Sequence, residues 1–336
     1  MIQEDYKEKL SQIFSTARIY ALISIVSAHI YFADSFSGQI LNRFGTLGVI
    51  VFLLISGYYY RPEKFHNWKK LFAKKAVSIG IPWLICGTLT WGYNIILSSQ
   101  NRSLFGWLNW ILGNGSYLYY LTILMLCFII LFKANKVMIW LMIPLSVFSI
   151  FLTALDLLQP ILLFLRINNY LNVFNWLGFF SLGMLLQTIS EEKIVQFLIK
   201  SRIWFIALFA LVFVTLLFFP EIDTYYFSFL AIPYEFLGGL AILGVATWSL
   251  VGHRFFQRLS SGTFTIYLIH IVFIGLLDRV LNIFIVTRFF APICIILITF
   301  FVIIFAKKVA KILKIEKIFD LAIGFRGNIA KSEIGK

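Results

Sequence analysis

Charge is what this sequence has least of. Only 13% of its 336 residues are Asp, Glu, Lys or Arg, about half the ~25% share of a soluble domain. A chain this poor in charge cannot clothe a water-facing globule, so a soluble protein is excluded. Acids are the scarcer sign: 15 Asp and Glu stand against 29 Lys and Arg, a formal charge of +14. Cysteine is nearly missing. Cys86, Cys127 and Cys294 lie far apart inside apolar runs, which excludes a cysteine metal site and reads as packing. There is no Walker loop, no HExxH, no GxSxG elbow and no strand–Gly-rich turn–helix pattern, which removes nucleotide-binding, zinc-protease and serine-hydrolase readings. The opening MIQEDYKEKLSQIFSTAR mixes acids and bases and lacks the short basic head of a signal peptide.

What the chain has instead is apolar length. Hydrophobic residues make up 60% and aromatics 18%, with 37 Phe; mean hydropathy is +0.90. A membrane helix needs about 20 mainly apolar residues. Ten candidate spans follow: 18–36, 44–60, 76–98, 116–132, 137–155, 172–189, 203–219, 226–250, 263–283 and 289–306. The expected fold is an all-α, polytopic integral membrane helix bundle of about ten transmembrane helices in the cell membrane, with both termini cytoplasmic. Residues 1–17 read as a cytoplasmic N-terminal segment, 18–306 as the transmembrane domain and 307–336 as a basic cytoplasmic tail. The tail is partly amphipathic and is expected along the inner membrane surface. No repeat and no low-complexity linker divides the chain.

The cations test this count. With the N-terminus inside, 24 of the 29 Lys and Arg fall on inner segments, and only Arg43, Arg102, Arg166, Arg279 and Arg288 fall outside. That is a strong positive-inside pattern. It explains the basic balance by contact with anionic lipid, without a nucleic-acid partner.

Ionisable groups within spans are costly unless paired or hydrated, so each asks for a reason. His29 follows Arg18 by eleven residues, which on a helix returns both to nearly one face, about 16 Å apart along the axis. His29 reads either as a histidine bonded to a neighbouring helix or as a general base. Arg18 reads as a membrane-edge anchor or as a phosphate contact. Asp34, five residues beyond His29, either orients the imidazole or is solvated. Gly45 and Gly48 allow close helix approach, and Ser56–Gly57 before three tyrosines suggests a local break. Lys74 and Lys75 sit at the mouth of the third span, as a topology signal or a grip on a phosphorylated cofactor. Pro82 can kink that span. His66, in the same basic loop, reads as solvated. Glu235 lies mid-span among Pro233, Gly238 and Gly239, facing a polar cavity or bonded within the bundle. Tyr267 and His270, three residues apart, share a helix face, while Asp278 and Arg279 read as interfacial. No metal site is expected.

These pieces together resemble the membrane acyltransferase-3 family. Arg18 and His29 match its Arg-x10-His first-span signature, GVIVFLLISGYY (48–59) its second-span run, and FAKKAVSIGIPW (72–83) the basic approach to an Ile/Leu-Pro. YLYYLTILM (117–125), FSLGMLL (180–186) and SSGTFTIYLIH (260–270) resemble later segments, so the likeness runs from about 15 to 305. Lys75 and Ser78 stand where the family commonly carries two arginines. The resemblance implies transfer of an acyl group, most often acetyl, from cytosolic acyl-CoA to a hydroxyl of a surface polysaccharide or lipid-linked sugar. His29 would then be the catalytic base, with Arg18 beside it. Arg18, Lys74 and Lys75 would meet the cofactor, while Asp34, Ser56, Glu235, Tyr267 and His270 would line or support the path. The competing readings are a glycan or lipid exporter without acyl transfer, and a membrane scaffold whose polar residues only join helices. Neither accounts for the basic inner mouth and the segment series together.

Overall fold

The computed structural model describes residues 2–30, 36–65, 67–97, 102–248, 254–281 and 285–325. Asp34 and His66 lie outside the described residues, as do the side chains of Asp278 and Arg279. The described chain is helical, with no strand among those residues. In order the helices are α1 (Ile2–Ala28), α2 (Phe36–Gly45), α3 (Leu47–Tyr58), α4 (Trp68–Lys75), α5 (Ile81–Leu97), α6 (Leu104–Leu112), α7 (Tyr119–Ile130), α8 (Lys136–Ala154), α9 (Gln159–Leu165), α10 (Phe174–Leu186), α11 (Glu191–Phe218), α12 (Ala231–Ala246), α13 (Arg254–Leu281), α14 (Ile285–Ile312) and α15 (Glu316–Ile323).

Seven helical stretches among the described residues are long and apolar enough to cross a membrane: Asp5–Ala28, Phe36–Tyr58, Trp68–Leu97, Lys136–Ala154, Glu191–Phe218, Phe255–Leu277 and Phe289–Ile312. The other three expected spans coincide with the shorter helices α7, α10 and α12. At 12, 13 and 16 residues these reach about 18, 20 and 24 Å, short of a ~30 Å hydrocarbon core. α10 shows why a hydropathy count includes such a helix. Ten of its residues are buried, Trp176, Leu177 and Phe180 among them, so its apolarity serves the protein interior.

The first span is displaced from its sequence bounds. The helix begins at Ile2 and ends at Ala28, with His29 in the turn that follows. Residues before Arg18 are its early turns, and Leu10, Ile13, Phe14 and Ala17 are buried in the core. The charged opening therefore masks a helix whose apolar positions recur on one side. The break expected at Ser56–Gly57 is absent, since α3 runs on to Tyr58. Gly57 serves packing: a Cβ there would lie 2.0 Å from the Phe180 carbonyl oxygen of α10. Gly183 repays the contact, its Cβ position falling 2.0 Å from the Leu54 oxygen. At Gly48 the same construction meets the Ala21 oxygen of α1 at 2.3 Å. Lipid supplies no hydrophobic drive between helices, so backbone-close seams of this kind carry the association.

Two local features shape the basic end. Asn67 caps α4 by accepting from the Lys70 amide. A π-helical turn, Ala76–Gly80, then joins α4 to α5. Pro82 has no amide hydrogen and its ring would press on the carbonyl four residues back; the wider turn relieves both problems. Beyond α14 the tail does not simply lie on the surface. α15 turns back along α14, where Lys307 Nζ bonds both Asp320 carboxylate oxygens at 2.7 and 2.8 Å.

Gly183→Val is expected to destabilise the bundle by about 1–3 kcal/mol, because the opposing atom is backbone and cannot swing aside. Gly92→Ala, where a Cβ meets nothing within 4 Å, is the matched control. Thermal unfolding in detergent should show a lower Tm for the first variant and none for the second.

Candidate active site

The site is assembled where α1 ends. Gly45 at the close of α2 packs on Ala28 so tightly that a Cβ would sit 2.6 Å from the Ala28 Cα. Ser24 Oγ donates to the Phe44 carbonyl at 2.7 Å and holds the same junction. His29 is thereby fixed at the rim of a cavity of about 310 Å³. Tyrosines dominate its wall: Tyr117 from the turn before α7, Tyr119 and Tyr120 from the start of α7, Tyr225 and Tyr226 from the loop before α12, and Tyr267 from α13. Gly113 shapes the approach to α7. Its φ of +82° is left-handed and a Cβ would strike the Tyr119 backbone at 2.1 Å, so the chain can fold under α7 only with glycine there.

His29 does not stand alone. The His270 ring lies 5.4 Å from it, centre to centre, and Tyr117 presents an edge to both, at 6.0 and 5.3 Å. His270 is fully buried. Its Nδ1 is 2.7 Å from the Tyr267 carbonyl. A carbonyl only accepts, so Nδ1 carries the hydrogen and Nε2 of the neutral ring is an acceptor. That Nε2 has no hydrogen-bond partner among the described residues. Two further bonds lock the neighbourhood. Tyr117 Oη donates to the Leu268 carbonyl and Tyr267 Oη to the Tyr117 carbonyl, a reciprocal clasp between α13 and the segment that opens α7.

The remaining expected residues divide. Ser56 Oγ lies 3.4 Å from Tyr120 Oη, and the Tyr120 ring is 5.6 Å from that of Tyr267, so Ser56 joins the cavity wall from behind. Glu235 is buried, with Oε1 unpartnered among the described residues, but it does not line the cavity. It stands behind Tyr119 and Tyr226, close enough to interact with both.

Arg18 belongs to the opposite end of α3. Its guanidinium stacks on Tyr59, 5.2 Å from the ring centre. Lys75 Nζ sits 4.0 Å above Phe128, and Phe128 is bound to the same corner by the Tyr60 hydroxyl, which donates to its carbonyl at 2.7 Å. Arg18 and Lys75 therefore share the Tyr58–Tyr60 corner. Lys74 is more peripheral, 5.7 Å from the Phe65 ring and exposed. Cations at one end of α3 and imidazoles at the other make a two-ended site. Among the described residues no cluster of three His, Cys, Asp or Glu could hold a metal.

A family described as an acyltransferase domain matches residues 14–307. The chain belongs to the acyltransferase-3 family. The match spans both ends of the site and most of the helices, so this helical membrane protein is an acyltransferase in the general sense of its family. No curated protein and no solved structure matches the chain.

Tyr267 apart, the tyrosine wall is what sequence reasoning missed. YLYY at 117–120 and TYY at 224–226 were the available signals, and an aromatic belt at the membrane interface explains such runs equally well. Removing either hydroxyl of the clasp, as Tyr117→Phe or Tyr267→Phe, is expected to cost about 1 kcal/mol. Tyr117 takes part in both bonds, so the double variant should fall short of the sum. Unfolding midpoints of the three variants in detergent measure this.

Proposed function

We propose that this chain is an O-acyltransferase that carries an acyl group, acetyl by preference, from cytosolic acyl-CoA to a sugar hydroxyl of a surface polysaccharide or lipid-linked glycan in the cell membrane. The observation that carries the reading is His29 at the rim of a tyrosine-walled cavity, with Arg18 eleven residues back on the same chain, stacked on Tyr59 at the other end of α3.

The chemistry needs one base and one anion grip. His29 takes the proton of the acceptor hydroxyl as its oxygen attacks the thioester carbonyl. The new C–O bond forms, the C–S bond breaks, and the leaving thiolate takes up a proton. Arg18 and Lys75 neutralise the phosphates of the donor, a task that Lys75 performs as a point charge because it lacks the bidentate fork of arginine. Lys74, exposed at the same mouth, adds to the local field. Aromatic ring faces and the Asn168 amide suit the apolar faces and hydroxyls of a sugar. His270 is a positioning residue in this reading, its ring packed 5.4 Å from that of His29 and favouring one imidazole orientation. With the N-terminus inside, the orientation the positive-inside pattern favours, Arg18 and Lys75 would meet the donor from the cytosol and His29 the acceptor nearer the outer side.

His29→Ala should lower transfer by about a hundred- to ten-thousand-fold, the usual worth of a general base. Mass spectrometry of surface glycans should lose an acetyl-sized increment while the protein stays at its normal level in the membrane. Unchanged acylation of every surface glycan, with altered export instead, would favour a transporter and refute the assignment. Lys75→Ala should raise the acyl-CoA KM about tenfold, the cost of one charge-assisted contact, and leave the acceptor KM alone. Equal donor KM values would remove Lys75 from the donor site.

A further inference from the structure

The hairpin of α14 and α15 reaches past the family match, which stops at Lys307. Its inward face is fully engaged. Lys307 pairs with Asp320 and reaches Glu316 at 3.6 Å, and its Nζ also sits 4.8 Å from the Phe325 ring centre. Gly324 ends α15 with φ +70°, and a Cβ there would meet Phe264 of α13 at 2.7 Å and Pro82 of α5 at 3.0 Å. Phe325 then drops into the protein, buried beside Gly262 and Phe300. The Cys86 thiol of α5 points at the Ala322 carbonyl, 3.9 Å away. α15 is thus a latch closed on α5, α13 and α14.

The outward face is different. Lys308, Lys311, Lys314 and Lys317 are all exposed, and none of them forms an ion pair among the described residues. Around them Ile312, Leu313, Ile315 and Ile318 are exposed as well. Lys314 holds a left-handed φ of 59° at the turn between α14 and α15, so the four lysines flank one bend of the chain. Closing the latch gathers four like charges at one bend. An anionic surface relieves that repulsion, and it does so more for the closed hairpin than for an open tail whose charges are spread out. Isoleucine and leucine side chains among lysines are the pattern of a segment seated at a lipid interface.

We propose that anionic phospholipid is the ligand of this bend and that it holds the α15 latch shut. The lipid headgroups engage Lys311, Lys314 and Lys317 while Ile315 and Ile318 enter the acyl boundary. The latch bears on Pro82, directly after the π turn that follows Lys75, so lipid composition is coupled to the helix carrying the basic mouth.

The test uses the full chain in nanodiscs of phosphatidylcholine alone or mixed with phosphatidylglycerol, read by amide hydrogen exchange over 316–325. Exchange there should be slower in the anionic discs, on the order of tenfold or more for three lysines. The variant Lys311→Gln/Lys314→Gln/Lys317→Gln should lose the difference between the two lipids. Lys307→Gln should speed exchange in both, since it opens the inner face. Equal exchange of the unaltered chain in the two lipids would overturn the proposal. So would a slowing that survives in the triple variant, or one that inorganic phosphate reproduces in neutral discs. Exchange requires no turnover, so these outcomes stand apart from the fate of the acyl-transfer assignment.

Discussion

A polar group buried in a membrane-spanning bundle has no solvent to turn to, and leaving it unpaired costs several kcal/mol. Most of this bundle obeys that constraint closely. Between α8 and α10, fully buried Asn175 accepts at Oδ1 from Ser149 at 2.7 Å and from Asn172 at 3.2 Å. Arg43 spends its guanidinium on the Thr224 hydroxyl and on the carbonyls of Phe219 and Ile222, so it seals the end of α11 rather than binding an anion. Against this background the exceptions carry meaning. Several are hydroxyls, which carry no formal charge and do not titrate near neutral pH. A ring nitrogen of His270 and a carboxylate oxygen of Glu235 are not, and both lie against the tyrosine cavity or just behind its wall.

The same constraint explains how the two ends of the site stay connected. Helices that bury polar side chains must meet closely, and small residues make that possible. Gly48 lets α3 lie on α1, and the Gly57–Gly183 seam locks α3 to α10. α3 then becomes a rigid strut with His29 at one end and the Arg18–Lys75 corner at the other. Tyr120 runs between them, ringed by Tyr267 and touched by Ser56. A two-ended site on a rigid strut suits chemistry in which donor and acceptor arrive from opposite sides.

Much of this was legible in residue order, and the misses have particular causes. The Arg18–His29 spacing placed both residues on one chain segment, but the helix ends at Ala28, so His29 is held by the α1–α2 junction instead of mid-helix. Tyr267 and His270 were named through their shared face, and the structure sets Tyr267 in the cavity wall and His270 against His29. Tyr117 and Tyr120 were not, because an interfacial tyrosine and a cavity-wall tyrosine have the same local sequence. Glu235 was visible as an expensive residue, yet nothing nearby in the chain revealed that Tyr119 and Tyr226 would screen it from the cavity. Ten apolar segments were counted, and seven helical stretches among the described residues have spanning length; hydropathy does not distinguish lipid from protein interior as the neighbour of Trp176 or Phe180.

Residue order by itself determined the class: scarce charge, long apolar runs and asymmetric cations leave no stable form but a membrane helix bundle, and periodic spacing names Arg18, His29, Tyr267 and His270. These are local or summed properties, readable one segment at a time. Only the tertiary structure decided which residues meet. The pairing of His29 with His270, the tyrosine cavity, the common corner of Arg18 and Lys75 and the closure of α15 on α5 all join segments far apart in the chain. Their geometry comes from backbone-close packing at a few glycines, and no local pattern encodes which helix each glycine will touch.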